Sequence, residues 1–276
     1  MKHEEFNWTG TDNLNIFARH WQPDTPATGV ICLVHGMGEH SGRYHHLAEF
    51  FTKHGYAIMA FDHRGHGKSE GEKGHVDSYD TLLNQVDHLL EKAEKQYPDL
   101  PIFIYGHSMG GNVVINHAIR RKPIVNGIIS TGPWLRLGFA PPKAKMMLGK
   151  LVKKIYPKFT EDNNLDANQL SHDKEVVQAY IDDPLVHGKI STGFFFGVNE
   201  AGEWAIKHGH RLGVPMLLMH GGEDKITSPE ATKEFAKQSE HKITLKIWEK
   251  LYHEIHNEPE QDQVFNYTLE WMKNLQ

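Results

Sequence analysis

Residues 102–114 read Ile-Phe-Ile-Tyr-Gly-His-Ser-Met-Gly-Gly-Asn-Val-Val, and they restrict the fold more than any other stretch of the chain. A short apolar run rich in β-branched and aromatic side chains stops at Gly106. A pattern of helical period then begins with Val113, Val114, His117 and Ala118. The chain must therefore turn sharply from strand to helix at Ser108. Gly106 and Gly110, two positions either side, suit that turn because a side chain at either would collide with the neighbouring strand or helix. Read this way, Gly-x-Ser-x-Gly is a nucleophile elbow that lifts the serine hydroxyl above the C-terminal edge of a sheet. The competing reading is a chance match in a glycine-rich loop, and the strand before and helix after count against it.

The rest of the chain supplies the sheet that such an elbow needs. Two strand-like segments, 4–9 and 14–21, joined by turn residues 10–13, predict an antiparallel hairpin. From Val30 onward strands alternate with helices. Strands are expected at 30–34, 56–61, 102–105, 124–130, 214–219 and 243–248. Helices are expected at 46–53, 79–97, from the elbow to 120, at 229–238 and at 258–274. This is an α/β fold with a mainly parallel central sheet flanked by helices, and its ligands belong at the C-terminal ends of the strands. Between residues 132 and 212 the alternation breaks: Pro133, Pro141, Pro142, Pro157 and Pro184 crowd there, with a lysine-rich helix at 143–156 and little that reads as strand. The expected organisation is a core of 1–131 and 213–276 with a mostly helical cap at 132–212.

Composition narrows the function. With 39% hydrophobic and 24% charged residues the chain can bury a sizeable core, and its net charge of −5 gives no general attraction to nucleic acid. No apolar run approaches a membrane span and the first residues lack a signal-peptide core, so a cytoplasmic location is the expectation. Cys32 is the only cysteine, so no internal disulfide forms, and its place in Val30-Ile31-Cys32-Leu33-Val34 predicts core packing. Oligomeric state is not legible.

A serine nucleophile needs a base, and the base needs a carboxylate to fix its tautomer. In this chain order both follow the serine, each just beyond a late strand. Asp224, in His220-Gly221-Gly222-Glu223-Asp224, is the candidate carboxylate, with Glu223 as alternative. His253 is the candidate base, with His256 as alternative; among 21 histidines its position after the last strand singles it out. The oxyanion hole falls to the N–H of Met109 and that of Met37, in the loop His35-Gly36-Met37-Gly38-Glu39-His40.

That loop has a rival reading. Gly36-x-Gly38 with Gly42 follows a strand, and Asp62 ends the next one, as in a dinucleotide site, but the glycine spacing is wrong and a hairpin precedes the strand. Metal and phosphate motifs are absent: His253-Glu254-Ile255-His256 is one residue short of His-Glu-x-x-His, no cysteine pairs occur, and there is no Gly-Lys-Ser/Thr triplet. The chemistry requires no metal and no cofactor.

Several stretches together carry a resemblance. They are His35-Gly36-Met37-Gly38-Glu39-His40-Ser41-Gly42-Arg43-Tyr44, the run from Phe61 to Ser69, the elbow, Asp183-Pro184-Leu185, and Tyr252-His253-Glu254-Ile255-His256. The chain resembles the monoacylglycerol lipase and lysophospholipase branch of the α/β-hydrolases from its first strands to its last helix. The resemblance implies an α/β-hydrolase fold, a triad on Ser108, Asp224 and His253, and an oxyanion hole completed at Met37. It also implies hydrolysis of a lipid ester, first a monoacylglycerol, with lysophospholipids and simple carboxylic esters as alternatives. A non-catalytic binding protein of the same fold is the alternative of another class, against which all three triad residues stand. Cysteines that family members carry in the cap and near the acid loop are missing here.

Two further expectations concern substrate. Glu39, Arg43 and His256 are expected to read the polar head, since glycerol hydroxyls need donors and acceptors; the alternative is that Glu39 and Arg43 pair and brace the loop. In the lysine-rich helix, Met147, Leu148, Leu151 and Ile155 recur at helical spacing. That face either covers an acyl pocket or makes transient contact with a membrane or micelle surface.

Overall fold

The computed structural model describes residues 1–10 and 13–275. The first half runs β1 (Lys2–Thr9), β2 (Asn15–Gln22), β3 (Gly29–Val34), α1 (His45–Lys53), β4 (Tyr56–Phe61), α2 (Tyr79–Gln96), β5 (Ile102–His107), α3 (Met109–Arg121) and β6 (Gly127–Thr131). The segment that follows holds α4 (Lys143–Ile155), β7 (Thr160–Asp162), α5 (Lys174–Asp182), β8 (Lys189–Ser191) and α6 (Thr192–His208). The chain closes with β9 (Met216–Gly221), α7 (Pro229–Ala236), β10 (Ile243–Trp248) and α8 (Gln261–Lys273).

Eight strands form one sheet in the order β1-β2-β4-β3-β5-β6-β9-β10. The hairpin is in register from Lys2 opposite Gln22 to Thr9 opposite Asn15. Of its expected turn, Thr11 and Asp12 lie outside the described residues. β2 meets β4 antiparallel, and every later pairing in this sheet is parallel. This is the mainly parallel α/β-hydrolase architecture.

The central strands are apolar throughout because both faces are covered. In β3, Val30, Cys32 and Val34 enter one core while Ile31 and Leu33 enter the other, as a period of two requires. The first core is closed by Leu82, Val86 and Leu89 of α2 and by Val113 and Val114 of α3. The second is closed by Leu47 and Phe51 of α1 and by Val264 and Phe265 of α8. Each such side chain contributes about 1.5–3 kcal/mol by leaving water.

Residues 132–212 contain more regular structure than their prolines and weak periodicity suggest. β7 and β8 pair antiparallel, and α5 and α6 are well-formed helices. The period of α6 is hard to see because Phe194, Phe196, Val198, Ala201, Ala205 and Ile206 are all buried. Ser191 caps it by accepting from Phe194 N at 3.2 Å. From α3, the side-chain amides of Asn112 and Asn116 donate to the backbone carbonyls of Val198 (3.1 Å) and Ala201 (3.2 Å), which fixes α6 behind the elbow helix. Among the described residues no helix is long and apolar enough to cross a membrane.

Candidate active site

The elbow stands where β5 ends and α3 begins. Ser108 has φ 54° and ψ −114°, a left-handed conformation costing on the order of 1–3 kcal/mol that the surroundings must impose. They do so through Ser108 N donating to Thr131 O and Trp134 N donating to Ser108 O, both at 2.9 Å. A Cβ on Gly106 would meet Gly110 O at 2.4 Å, and one on Gly110 would meet Val34 O at 2.1 Å. Both positions thus exclude any side chain, as the spacing predicts.

Ser108 Oγ lies 2.9 Å from His253 Nε2, and His253 Nδ1 lies 2.7 Å from Asp224 Oδ2. The geometry fits an imidazole protonated at Nδ1, donating to the carboxylate and accepting from the serine. Asp224 sits in the turn after β9, where Oδ1 accepts from Ile226 N (2.7 Å) and Thr227 N (3.0 Å). Its Oδ2 also accepts from Thr227 Oγ1 at 2.8 Å and pairs with His220 Nε2 at 2.9 Å. Burial would raise this carboxyl, but His253 and His220 outweigh it and hold Asp224 far below the usual carboxylate range. Burial likewise works to lower His253, yet the charge and hydrogen bond of Asp224 leave it raised. The alternative carboxylate, Glu223, is exposed to solvent.

The loop after β3 lies directly against the serine: a Cβ on Gly36 would be 3.3 Å from Ser108 Cβ. Gly36 N already donates to Glu39 Oε1 at 2.7 Å, so Met37 carries the next N–H of this loop. Met109 opens α3, so its N–H is one of the helix's N-terminal donors and points along the positive end of the helix dipole. Met37 and Ser108 line the same cavity. The dinucleotide alternative for this loop does not fit, because Asp62 is fully buried and accepts from Ser41 N, Lys68 N and Arg19 Nη1.

Beside the serine lies a second charged group. Arg43 Nη1 donates to Glu39 Oε2 and to Glu254 Oε1, each at 2.7 Å, and Nη2 donates to Glu254 Oε2 at 2.8 Å. Tyr44 OH donates to Glu39 Oε1 at 2.7 Å. Burial, and the neighbouring Glu254 charge, outweigh Arg43 at Glu39 and leave that carboxyl raised; at Glu254 the bidentate Arg43 outweighs burial and lowers it. His256, expected with Glu39 and Arg43 at the substrate's head, is elsewhere. It is fully buried, stacked on Tyr44 at 4.9 Å and edge-on to His107 at 4.6 Å, and is not part of the cavity wall. The turn 255–257 is a 3-10 helix, which swings it behind His107 instead of beside His253. Burial lowers its imidazole to about 3.

A cavity of about 780 Å³ has Ser108 and His253 in its wall. The same wall holds the apolar side chains of Leu137, Phe139, Met146, Val152, Phe195 and Phe196, the polar residues 161–164, and the Arg43-linked group of Glu39, Glu254 and Tyr180. Glu254 and Tyr180 escape sequence reasoning. Glu254 is adjacent to His253, a signal hidden by its reading as part of a failed zinc motif. Among the described residues no group of three or more His, Cys, Asp or Glu side chains is arranged to hold a metal ion.

Fold, elbow and hydrogen-bonded serine define the class: this is a serine hydrolase with the α/β-hydrolase fold. The chain belongs to the family described as "Serine aminopeptidase, S33", whose profile matches residues 25–260. It is 33% identical over 270 residues to a monoacylglycerol lipase of Mycolicibacterium smegmatis, covering 97% of this chain and 96% of that one. It is 34% identical to Phospholipase YtpA of Bacillus subtilis, covering 89% and 95% of the two. An uncharacterized abhydrolase domain-containing protein of Dictyostelium discoideum is 36% identical over 270 residues, but the chain spans only 28% of that longer protein. Among solved structures, the monoacylglycerol lipase of Paleococcus ferrophilus superposes with a TM-score of 0.87 at 32% identity, covering 95% of this chain and 99% of that one.

Proposed function

We propose that this enzyme hydrolyses monoacylglycerols to fatty acid and glycerol through an acyl-enzyme on Ser108. His253 removes the Ser108 proton as Oγ attacks the ester carbonyl, and Asp224 stabilises the imidazolium that forms. The N–H groups of Met37 and Met109 receive the oxyanion, and His253 then protonates the departing alcohol. Water repeats the sequence and frees the acid. One observation carries the reading: the hydrogen-bonded serine shares one cavity wall with apolar side chains that suit an acyl chain and with Glu39, Glu254 and Tyr180, which suit a small alcohol. The monoacylglycerol lipases at 33% and 32% identity support it. The similarity to a phospholipase favours a lysophospholipid as a second reading, which differs only in the head. A panel of mono-, di- and triacylglycerols, lysophospholipids and nitrophenyl esters tests both. Monoacylglycerol is expected to head the panel, and failure to cleave it while nitrophenyl esters are cleaved would reject the assignment.

In this reading residues 132–212 form a cap over the core made by 1–131 and 213–276, and α4 is its outer edge. No residue of α4 is buried. Met146 and Val152 line the cavity, while Met147 and Ile155 are 74% and 76% exposed among lysines. A Cβ on Gly149 would lie 3.0 Å from Phe196 Cε2, so the glycine lets the helix rest on α6 at the cost of some helix propensity. The exposed face suits transient contact with an anionic lipid surface. Sedimentation with anionic and neutral vesicles checks this: wild type should favour the anionic ones and K150E/K153E/K154E should not, whereas equal negligible binding would leave α4 only as a pocket wall.

A further inference from the structure

The group of Glu39, Glu254 and Tyr180 on the cavity wall is where the two readings of the head group separate, because its charge is already set by the protein. Glu39 and Glu254 carry two negative charges against the single positive charge of Arg43. Both carboxylates have side chains only 3% exposed, so solvent screens them weakly. Arg43 is already committed to them. Two of its nitrogens are held by the carboxylates, and the Tyr180 ring lies 4.7 Å from its guanidinium carbon. The other cations on the cavity wall are placed differently. Lys145 belongs to α4 and pairs with Glu161 at 2.9 Å, and Lys225 belongs to the loop after β9, its backbone against Gly138.

In the reading proposed above, the acyl chain lies on the apolar wall and the alcohol leaving Ser108 faces Glu39, in the loop against the serine, and Glu254, which follows His253. Arg43 holds both oxygens of Glu254 and Asn257 Nδ2 donates to its Oε2 at 2.7 Å, which leaves an acceptor position on Oε1 to which a hydroxyl can donate; Glu39 adds its charge. A phosphate brings acceptors only, and brings them to carboxylates whose cation is already matched.

We propose that Glu254, acting with Glu39, is a specificity determinant that admits esters of uncharged or cationic alcohols and rejects esters whose alcohol carries a phosphate. The inference rests on the assignment of Glu39, Glu254 and Tyr180 to the leaving alcohol made above. It decides between the two head-group readings: monoacylglycerols are substrates, and lysophospholipids with a phosphate beside the ester are poor ones.

The test uses the full chain and decanoyl esters of choline, glycerol and glycerol 3-phosphate below their micellar concentrations. The choline and glycerol esters should differ in kcat/KM by no more than about tenfold, and the phosphate ester should be on the order of a hundredfold worse than glycerol, the scale of a like-charge juxtaposition. Glu254→Gln leaves Arg43 opposite Glu39 alone and should narrow the phosphate gap by about tenfold, mainly through KM. Should that variant not fold, wild type decides by inhibition of nitrophenyl butyrate hydrolysis, where glycerol should compete and glycerol 3-phosphate at equal concentration should not. The proposal is overturned by a phosphate ester cleaved within about threefold of the glycerol ester, by equal inhibition, or by an unchanged ratio in folded Glu254→Gln. If nitrophenyl esters are cleaved but neither glycerol ester is, the monoacylglycerol assignment fails, and the inhibition pair still decides the charge preference.

Discussion

Two buried charged clusters flank His253, built from similar parts and put to different use. On one side Asp224 meets an imidazole whose far nitrogen faces a hydroxyl. On the other, Glu39 and Glu254 meet a guanidinium that keeps its proton at any working pH. The first cluster is open-ended: a proton can pass from Ser108 to His253 and the paired Asp224 makes the resulting charge tolerable. The second is closed, since both terminal nitrogens of Arg43 already hold carboxylate oxygens. A buried carboxylate beside a cation thus supports chemistry only when the cation titrates and its other end reaches a nucleophile.

The largest expected effect comes from breaking the open end. Ser108→Ala should abolish ester hydrolysis, a loss on the order of 10⁴-fold or more, because nucleophile and base act as a unit. Steady-state and burst kinetics on a nitrophenyl ester check it, and a folded variant keeping a tenth of the rate would dismantle the mechanism. Asp224→Asn should follow at about 10³–10⁴-fold, since an amide permits the wrong tautomer. Glu223→Gln, at an exposed position, should remain near wild type. Reversal of the last two would reassign the acid.

A smaller effect distinguishes the clusters by pH. His253 must be neutral to act as base, so kcat/KM should fall toward acid with a midpoint above the usual 6.5 of an imidazole. Asp224, Glu254 and Glu39 each raise that imidazole, in that order of size. Replacing any of them by its amide removes a negative charge and should move the acid limb to lower pH, most for Asp224→Asn and least for Glu39→Gln. A pH profile of kcat/KM for the three variants gives the ranking; an unmoved limb in Glu254→Gln would mean that the second cluster exerts no field on the first. Stability carries the opposite signs for the two partners of the first cluster. The share from His253 is full below about pH 6.5 and is lost as pH rises through its raised value, while the share from Asp224 is present above about pH 4 and lost as pH falls toward its depressed one.

What could be read in advance follows the same division. The elbow is written locally, in two glycines and the change from strand to helix period around Ser108, and Asp224 and His253 follow from strand order. The second cluster joins Arg43 to Glu254 across 211 positions, and no local pattern specifies such a pair. His256 was misplaced for a related reason: its distance along the chain from His253 is legible, but the 3-10 turn that sends it behind His107 depends on packing against Tyr44. In the segment after β6, α6 is hard to read because its polar strip, Glu200, Glu203 and Lys207, is narrow beside the run Phe194–Val198 and carries Gly193, Gly197 and Gly202 in the same helix.

The smallest expected effect concerns Glu39 itself, where the sequence left open whether it reads glycerol or braces a loop. The packing favours the brace. Oε1 takes Gly36 N and Tyr44 OH, and Oε2 takes Arg43, so three of about four acceptor positions on the carboxylate are filled by the protein. The Gly36 bond is the one that bears on rate: it holds the peptide one before that of the Met37 N–H, whose own carbonyl, Gly36 O, is held by His35 Nδ1 at 2.7 Å, so losing it lets the loop shift the Met37 N–H. Glu39→Gln can still accept from Gly36 but cannot pair with Arg43 as a charge. The loop should loosen and weaken oxyanion stabilisation, with kcat falling about tenfold and KM little changed. Because the oxyanion forms on every ester, that fall should be equal for a monoacylglycerol and a nitrophenyl ester of the same chain length. A drop confined to the monoacylglycerol, at unchanged thermal stability, would instead give Glu39 direct contact with the glycerol hydroxyls.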